Sequence, residues 1–352
     1  MSQLDIQFRA GAVWLPGLEL WLDAHRARKG PERVFVSHAH MDHTGRHREV
    51  MLTEATSRFM RSRLGGQRVE HILPWGEPRD FTGPTHPFRL TLLPAGHILG
   101  SAMAMIESGS ERLLYTGDFK LRPGLAAEVC DPAPAVGCDV LIMETTFGRA
   151  RYRMPPPEEV IQKMIHFCRE TLARDETPVL LGYSLGKSQE ILHSLAGAAL
   201  PVVLHAQVLK LTRVYEALGH VFPAYEAHEP GVSCRRKVFL CPPGALTPAL
   251  RGALHQPRVA VITGWAVDSG CQYRYGADAA FALSDHADFP DLIEFVRRVR
   301  PRRILTLHGF AADFAATLRE LGFDASALGV DEQLTLPLGL TQPLAGSGTT
   351  SP

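Results

Sequence analysis

The chain has 352 residues, of which 45% are hydrophobic and 21% charged, a composition typical of a globular protein with room for two domains or one large one. The 37 basic and 37 acidic residues give zero net charge, which argues against a protein that coats nucleic acid by bulk charge but allows a local phosphate site. No run of about 18 apolar residues predicts a membrane span, and the first residues lack the features of a secretion signal. We therefore expect a cytoplasmic protein with no membrane partner.

The six cysteines are scattered and contain no C-x-x-C pair, which is typical of reduced thiols. Cys130 and Cys138 are an alternative metal pair, although their spacing matches no zinc ribbon.

The first half of the chain is predicted to consist of short strands and one clear helix. The helix spans 54–64, and strands are predicted at 34–37, 90–93, 102–106, 112–116 and 140–143. Asp23 follows the apolar residues 20–22 and is a candidate for orienting a metal-binding imidazole.

The segment after the strand at 34–37 is the most distinctive of the chain. It reads His38-Ala39-His40-Met41-Asp42-His43 and therefore holds three imidazoles and a carboxylate in six residues. Neutral imidazole and carboxylate are preferred ligands of zinc and related divalent metals. Alternate residues at a strand end point the same way, so His38 and His40 can share one metal. Asp42 and His43, where the chain is expected to turn into a helix, can face a second metal. The alternative is a polar loop, which would be preferred for any single histidine but not for the whole string.

Further polar residues follow later predicted strands. His97 lies between Gly96 and Gly100, Asp118 follows the strand at 112–116, and His308 follows the strand at 303–307. The flanking glycines allow close backbone approach, and the Asp118 carboxylate can bridge two metals. A single His or Asp at a strand end is more often a structural hydrogen-bonding residue, but their joint placement favours a shared site.

After Arg149 the pattern changes to alternating strands and helices. A helix opens at Pro155-Pro156-Pro157 and shows an apolar face as far as Leu172. Strands at 179–181, 202–204 and 259–262, with helices at 187–195 and 208–218, predict parallel βαβ units. Strands at 280–284 and 303–307 and helices at 290–299 and 311–321 follow. The tail, 336–352, is rich in Gly, Ser, Thr and Pro and is expected to be flexible.

The order of these residues resembles a known family. The string 38–43 with His97 and Asp118 is similar to the metallo-β-lactamase fold, and Glu144, His286 and His308 resemble the three extra motifs of the β-CASP nucleases. The resemblance implies an α/β protein, a metallo-β-lactamase αββα sandwich with an inserted β-CASP α/β domain. It implies a first part of the sandwich over 1–150, the insertion over 151–280 and a C-terminal return over 281–335. The segments 182–190 and 284–288 are most similar to the bacterial ligase-associated DNA exonucleases.

The resemblance also implies roles for individual residues. His38, His40 and His97 would hold one metal ion, Asp42, His43 and His308 a second, and Asp118 would bridge both. His286 would donate a proton to the leaving oxygen, and Glu144 would position it. Zn²⁺ is the expected metal, with Mn²⁺ as the alternative.

Substrate contacts are predicted less directly. Ser184 and Lys187 lie on a glycine-containing loop before a helix, which is a candidate phosphate site, although an ordinary helix cap is the alternative. Arg149, Arg151 and Arg153 follow Glu144 and are candidates to line the cleft between domains.

The implied function is a metal-dependent nuclease, most similar to a DNA exonuclease in end processing or repair, functionally associated with a DNA ligase. An RNA-processing nuclease is the main alternative, because RNA-processing members of the family keep a histidine at the position of His308 whereas the eukaryotic DNA-repair branch usually lacks it. A small-molecule metallo-hydrolase and an inactive scaffold are further alternatives. For the oligomeric state, a symmetric dimer is the base-rate expectation.

Overall fold

The computed structural model describes residues 4–329, so the predicted tail and the last residues of the 281–335 segment lie outside the described residues. Three sheets contain the strands of the described part. The first has β1 (Gln7–Arg9), β2 (Ala12–Leu15), β3 (Leu20–Leu22), β4 (Arg33–Phe35), β5 (Glu49–Leu52) and β6 (Val69–Ile72), paired in that order. The second has β7 (Arg79–Thr82), β8 (Pro87–Pro94), β9 (Ala102–Ser108), β10 (Glu111–Tyr115), β11 (Val140–Glu144), β18 (Arg303–Leu307) and β19 (Ala325–Ala327). The third has β12 (Thr177–Leu181), β13 (Val202–Leu204), β14 (Glu226–Ala227), β15 (Val238–Cys241), β16 (Pro257–Ile262) and β17 (Ala279–Phe281).

Eight α-helices accompany these sheets within the described residues: α1 (Glu54–Leu64), α2 (Pro157–Ala173), α3 (Lys187–Ser194), α4 (Ala206–Ala217), α5 (Pro248–Ala253), α6 (Cys271–Tyr275), α7 (Phe289–Val299) and α8 (Ala311–Glu320). The helix predicted over 54–64 agrees with α1 at both ends. At its start, Thr53 caps the first turn by accepting a hydrogen bond from Thr56 N. The strand predicted at 280–284 ends earlier, at Phe281, and residues 282–288 leave the sheet as a loop. The helix expected just after His43 is absent, because the chain runs through a loop into β5.

The first two sheets pack face to face around a core formed by alternating inward residues, including Phe35, Leu92 and Leu113. The outer face of the second sheet is covered by α7 and α8. The apolar positions of α7 recur at helical spacing, as Leu292, Phe295 and Val299 do, and are fully buried. The outer face of the first sheet is covered by α1. These four layers confirm the predicted αββα sandwich.

The third sheet is entirely parallel and has the order β14-β13-β15-β12-β16-β17. The chain enters it after β11 and returns through β18, and these two strands are parallel neighbours that pair Glu144 with Leu307. Strand β15, between β13 and β12, was not predicted. We refer to residues 157–281 as the third-sheet domain.

Strands β8, β10, β11 and β18 run in one direction, so their carboxyl ends meet at one edge of the second sheet. The third-sheet domain covers this edge, because Leu185 from the loop after β12 is buried in the same apolar cluster as Ala39 and Ile98. The edge where polar residues follow the strands is therefore also the junction between the two parts of the chain.

All six cysteines are buried and unpaired. Burial, with the nearby Asp131 carboxylate, raises the pKa of the Cys130 thiol to about 12, and burial likewise raises the pKa of Cys138 to about 12. These protonated thiols are poor metal ligands, since metals bind the thiolate. None of the helices between residues 4 and 329 is long and apolar enough to cross a membrane.

Candidate metal centre and active site

Four of the predicted ligands form a compact group at the shared edge. One ligand atom from each of His38, His40, His97 and Asp118 lies within 4.8 Å of the others. His40 Nδ1 is 3.1 Å from both His38 Nε2 and His97 Nε2, while Asp118 Oδ2 is 3.7 Å from His38 Nε2. Ligand nitrogens around a tetrahedral zinc ion are about 3.3–3.4 Å apart, given Zn–N bonds of ~2.0–2.1 Å. The donor set and its spacing therefore fit one divalent ion.

The protonation of these rings also suits metal binding. Burial and the neighbouring His43 and His97 rings hold the pKa of His38 well below its ordinary value. Burial, reinforced by neighbouring imidazoles, lowers the pKa of both His40 and His97 to about 4. The three rings are therefore neutral near pH 7, and neutral imidazole is the form that binds a metal.

The second predicted group is more open. His43 Nε2 lies 3.3 Å from Asp118 Oδ2 and 3.9 Å from Asp42 Oδ2, and the His43 and His308 ring centroids are 6.0 Å apart. Asp42 is exposed, and neither it nor His308 belongs to a compact ligand group within residues 4–329. The structure thus brings Asp42, His43 and Asp118 together and places His308 beside them.

A buried carboxylate orients two of the histidines. Asp23 accepts hydrogen bonds from His43 Nδ1 at 2.9 Å, from Ser37 Oγ at 2.6 Å and from the Tyr115 hydroxyl at 2.9 Å. Ser37 Oγ in turn lies 2.9 Å from His38 Nδ1, so the proton of that ring is held on Nδ1 and Nε2 faces the other ligands. Asp23 has a φ of +52°, an uncommon conformation that the surrounding bonds hold in place.

The end of β18 is turned sharply towards the site. His308 and Gly309 have φ values of +59° and +56°. Thr145 Oγ1 donates to the His308 carbonyl at 2.5 Å, and a Cβ at Gly309 would lie 2.4 Å from the Thr145 carbonyl oxygen. Glycine at 309 is therefore required for the close approach that places His308 next to His43.

His286 and Glu144 form a pair on the other side of Asp118. His286 Nδ1 is 2.8 Å from Glu144 Oε1, and the remaining acceptor positions of Glu144 are used by Phe119 N at 3.0 Å and by the amide and hydroxyl of Thr146. Burial opposes a charged His286, but Glu144 and Asp118 outweigh it and raise the pKa of His286 to about 10. A protonated imidazole is chemically able to donate a proton to a neighbouring group.

Lys187, predicted as a phosphate contact, lies in a buried ion-pair network. Lys187 is 1% exposed, and its ammonium is 3.0 Å from Glu190 Oε2 and 3.7 Å from Asp285 Oδ1. A buried ammonium with two carboxylate partners is not free to bind a phosphate. Ser184 is half-buried and does not cap α3, which begins after Gly186.

An arginine and aromatic cluster lies beside His286. The Phe147 ring is 6.1 Å from the His286 ring and packs on Tyr152. The Arg149 guanidinium lies 4.1 Å from the Phe310 ring centroid and the Arg151 guanidinium 4.8 Å from that of Tyr152. Both arginine side chains are partly exposed, and each has an acidic neighbour: Arg149 pairs with Asp313, and Arg151 Nε lies 3.9 Å from Asp268 Oδ1. A chain of aromatic rings therefore connects two partly exposed cations to His286.

Several residues of the site were missed from the sequence. The carbonyls of Leu185 and Asp285 contact His40 and His97, and Lys120 and Glu190 join Lys187 in a buried ion-pair network. Backbone carbonyls occur at every residue and leave no signal in the sequence. The segments 182–190 and 284–288 did stand out as motifs, but nothing in them indicated these contacts.

Comparison with known proteins matches two parts of the chain to family profiles. Residues 16–143 match the metallo-beta-lactamase superfamily, and residues 279–328 match the Zn-dependent metallo-hydrolase RNA specificity domain. The first match ends before the third-sheet domain, and the second begins at β17, the last strand of that domain.

Similar proteins include a "Probable DNA ligase" of Opitutus terrae, 49% identical over 349 residues, which cover 99% of this chain and 33% of that protein. The "5' exonuclease Apollo" of Gallus gallus is 27% identical over 89% of this chain and 67% of its own length. The chain thus spans about a third of the length of the Opitutus protein. A crystal structure of a protein of unknown function from Enterococcus faecalis matches with a TM-score of 0.57 at 14% identity. The match covers 85% of this chain and 79% of the Enterococcus chain, and it shows likeness of fold alone.

Proposed function

We propose that the chain is a β-CASP metallo-β-lactamase protein and, as such, a metal-dependent nuclease that hydrolyses phosphodiester bonds. The observation that carries the proposal is the compact ligand group of His38, His40, His97 and Asp118 directly beside the His286–Glu144 pair. Asp118 belongs to both clusters, so the metal ligands and the proposed proton donor lie on either side of one carboxylate.

We propose two divalent ions, with Zn²⁺ favoured by the imidazole-rich donor set and Mn²⁺ as the alternative. His38, His40 and His97 would hold the first ion, Asp42, His43 and His308 the second, and Asp118 both. When bound, such ions supply Lewis-acid stabilisation of phosphate charge and lower the pKa of water towards neutrality.

The residues of the chain would perform the proton chemistry. Hydrolysis adds water across a P–O bond, so the departing sugar oxygen has to gain a proton. His286, kept protonated by Glu144, would donate that proton, and its Nε2 is left available because Nδ1 faces the carboxylate. Asp23 would hold His43, and through Ser37 also His38, in orientation throughout.

Nucleic acid would lie in the cleft between the sandwich and residues 151–280. Arg149 and Arg151 support this placement, because stacked guanidinium groups suit both phosphate and base contacts. Each arginine would contribute one phosphate contact. Loss of either should weaken binding to all sequences and reduce the slope of log Kd against log salt concentration by about one.

We propose DNA as the substrate and exonucleolytic end trimming, before ligation, as the activity. The support is the likeness to a probable DNA ligase and to a 5' exonuclease. RNA is the second candidate, because residues 279–328 match an RNA specificity domain and the chain keeps His308.

The deciding experiment gives the protein 5′- and 3′-labelled single- and double-stranded DNA and RNA in parallel, with Zn²⁺ or Mn²⁺. We expect stepwise shortening of DNA and ends that an added DNA ligase can join. Preferred cleavage of RNA would replace the DNA assignment with the RNA one. His286→Ala should retain bound metal and lose most activity, and a protein that binds no metal would refute the nuclease proposal altogether.

A further inference from the structure

The loop between β12 and α3 reaches from the third-sheet domain into the metal-ligand group. His40 Nε2 lies 3.1 Å from the carbonyl oxygen of Leu185, which is 145 residues away in the chain. A carbonyl only accepts, so Nε2 carries the ring proton and Nδ1 is the nitrogen that faces His38 and His97. The orientation of a sandwich residue is therefore fixed by the third-sheet domain.

A second ligand is oriented by the segment that carries the proton donor. His97 Nδ1 lies 2.8 Å from the Asp285 carbonyl, which leaves His97 Nε2 facing the ligand group. The Asp285 side chain is 3.7 Å from Lys187 Nζ. Because Asp285 directly precedes His286, Lys187 contacts the segment that determines the positions of both His97 and His286.

Lys187 is the centre of a buried network of four charges. Its ammonium is 3.0 Å from Glu190 Oε2, and Glu190 Oε1 is 2.6 Å from Lys120 Nζ. Lys187, Glu190 and Lys120 are 1%, 6% and 5% exposed, and with Asp285 they form two cations balanced by two anions. Lys120 lies two residues after Asp118, so the network reaches a third ligand segment. Buried ion pairs contribute weakly to stability, and in some proteins they specify one arrangement of the groups around them.

Packing makes this loop closely complementary to the sandwich. Gly186 has a φ of +83°, and a Cβ there would lie 2.1 Å from Ile98 Cγ2, next to His97. Gln189 holds the loop by accepting from Gly186 N at 2.8 Å and donating to the Ser184 carbonyl at 3.2 Å. Only glycine allows the backbone to approach this closely.

We propose that Lys187 is a positioning residue of the metal centre. Together with Glu190 and the Leu185 carbonyl, it allows the third-sheet domain to complete the orientation of the metal ligands, and this inference rests on the proposed metal site. It replaces the phosphate role predicted for Lys187 from the sequence. Changes to groups that orient metal ligands typically cost about 10–100-fold in metal affinity.

The test compares Zn²⁺ affinity, measured by competition with a chromogenic chelator, and the visible spectrum of the Co²⁺-loaded protein. We expect Lys187→Met to bind Zn²⁺ about 10–100-fold more weakly and to show an altered Co²⁺ spectrum. Lys237→Met is the matched control, since it removes an ion pair with Glu226 at 2.6 Å in the same domain but away from the site, and it should retain parental affinity.

The double variant Lys187→Met/Asp285→Asn separates positioning from charge burial. It removes one cation together with its anionic partner and leaves the pair of Lys120 and Glu190 at 2.6 Å intact, so we expect it to recover thermal stability of the metal-free protein but not Zn²⁺ affinity, and it serves as the test if the single variant does not fold. Parental Zn²⁺ affinity in either variant would overturn the inference. A parent protein that binds neither Zn²⁺ nor Co²⁺ would instead refute the proposed function, so the two failures are distinguishable without any nuclease assay.

Discussion

The Glu144→Gln substitution gives the sharpest test of the proposed proton donor. Glu144 and Asp118 raise the pKa of His286 to about 10, so the imidazole is protonated throughout the neutral range. If glutamine returns that pKa to its ordinary value of about 6.5, only about 3% of the rings remain protonated at pH 8. The expected loss of kcat is then about 30-fold at pH 8 and about twofold at pH 6.5, in addition to any uniform loss.

The assay is the pH dependence of kcat between pH 5.5 and 9 on an end-labelled oligonucleotide, with metal content measured on the same samples. Bound cations lower the pKa of His286 in parent and variant alike, so the shift between the two curves is the quantity of interest. Thr146→Val is a matched control, because it removes a hydroxyl hydrogen bond to Glu144 but keeps the carboxylate charge. The fall of its kcat at high pH should therefore occur at the same pH as in the parent. A Glu144→Gln profile parallel to that of the parent would show that Glu144 does not tune His286.

Three other substitutions test separate parts of the site and its support. Asp23→Asn should weaken Zn²⁺ binding by about 10–100-fold in a chelator competition, because an amide cannot accept all the hydrogen bonds that this carboxylate accepts; unchanged affinity would contradict that role. Gly186→Ala should lower the free energy of unfolding by about 1–3 kcal/mol more than Gly197→Ala, since both glycines have positive φ but only Gly186 would place a Cβ against Ile98; equal losses would show that packing at Ile98 is not limiting. Burial raises the pKa of Glu190, but Lys187 and Lys120 outweigh it and hold that pKa below its ordinary value. Its contribution to stability is therefore present above about pH 4.3 and lost as the pH falls through the lower folded-state pKa. In thermal unfolding of the metal-free protein, the Tm of Glu190→Gln should fall less than that of the parent as the pH is lowered below about 4.3. An equal fall of Tm in both proteins would exclude Glu190 as a source of this pH dependence.

The sequence by itself determined which metal-binding side chains the site contains. A metal ligand needs a particular side chain, so the string 38–43 indicated metal binding before any fold was known. Local periodicity likewise predicted α1 and the apolar face of α7, because a helix buries residues at a spacing that is written in the chain. The αββα sandwich followed from the resemblance that these motifs carry.

The arrangement of the third sheet was decided only by tertiary structure. Strand β15 has four residues and lies between β13 and β12, although its neighbours in the chain are β14 and α5. Strand order depends on pairing between distant segments, and a run as short as Val238–Cys241 carries no signal of that pairing.

Tertiary structure also decided what the polar residues do. Lys187 looks like a phosphate ligand in the sequence, but folding buries it between Glu190 and Asp285. The carbonyls that orient His40 and His97 lie 145 and 188 residues away in the chain. Residue type sets which atoms can bind a metal or a proton. The orientation, charge and accessibility of those atoms are set by the groups packed against them, and for His40 and His97 those groups come from the loop after β12 and from the segment that follows the third-sheet domain.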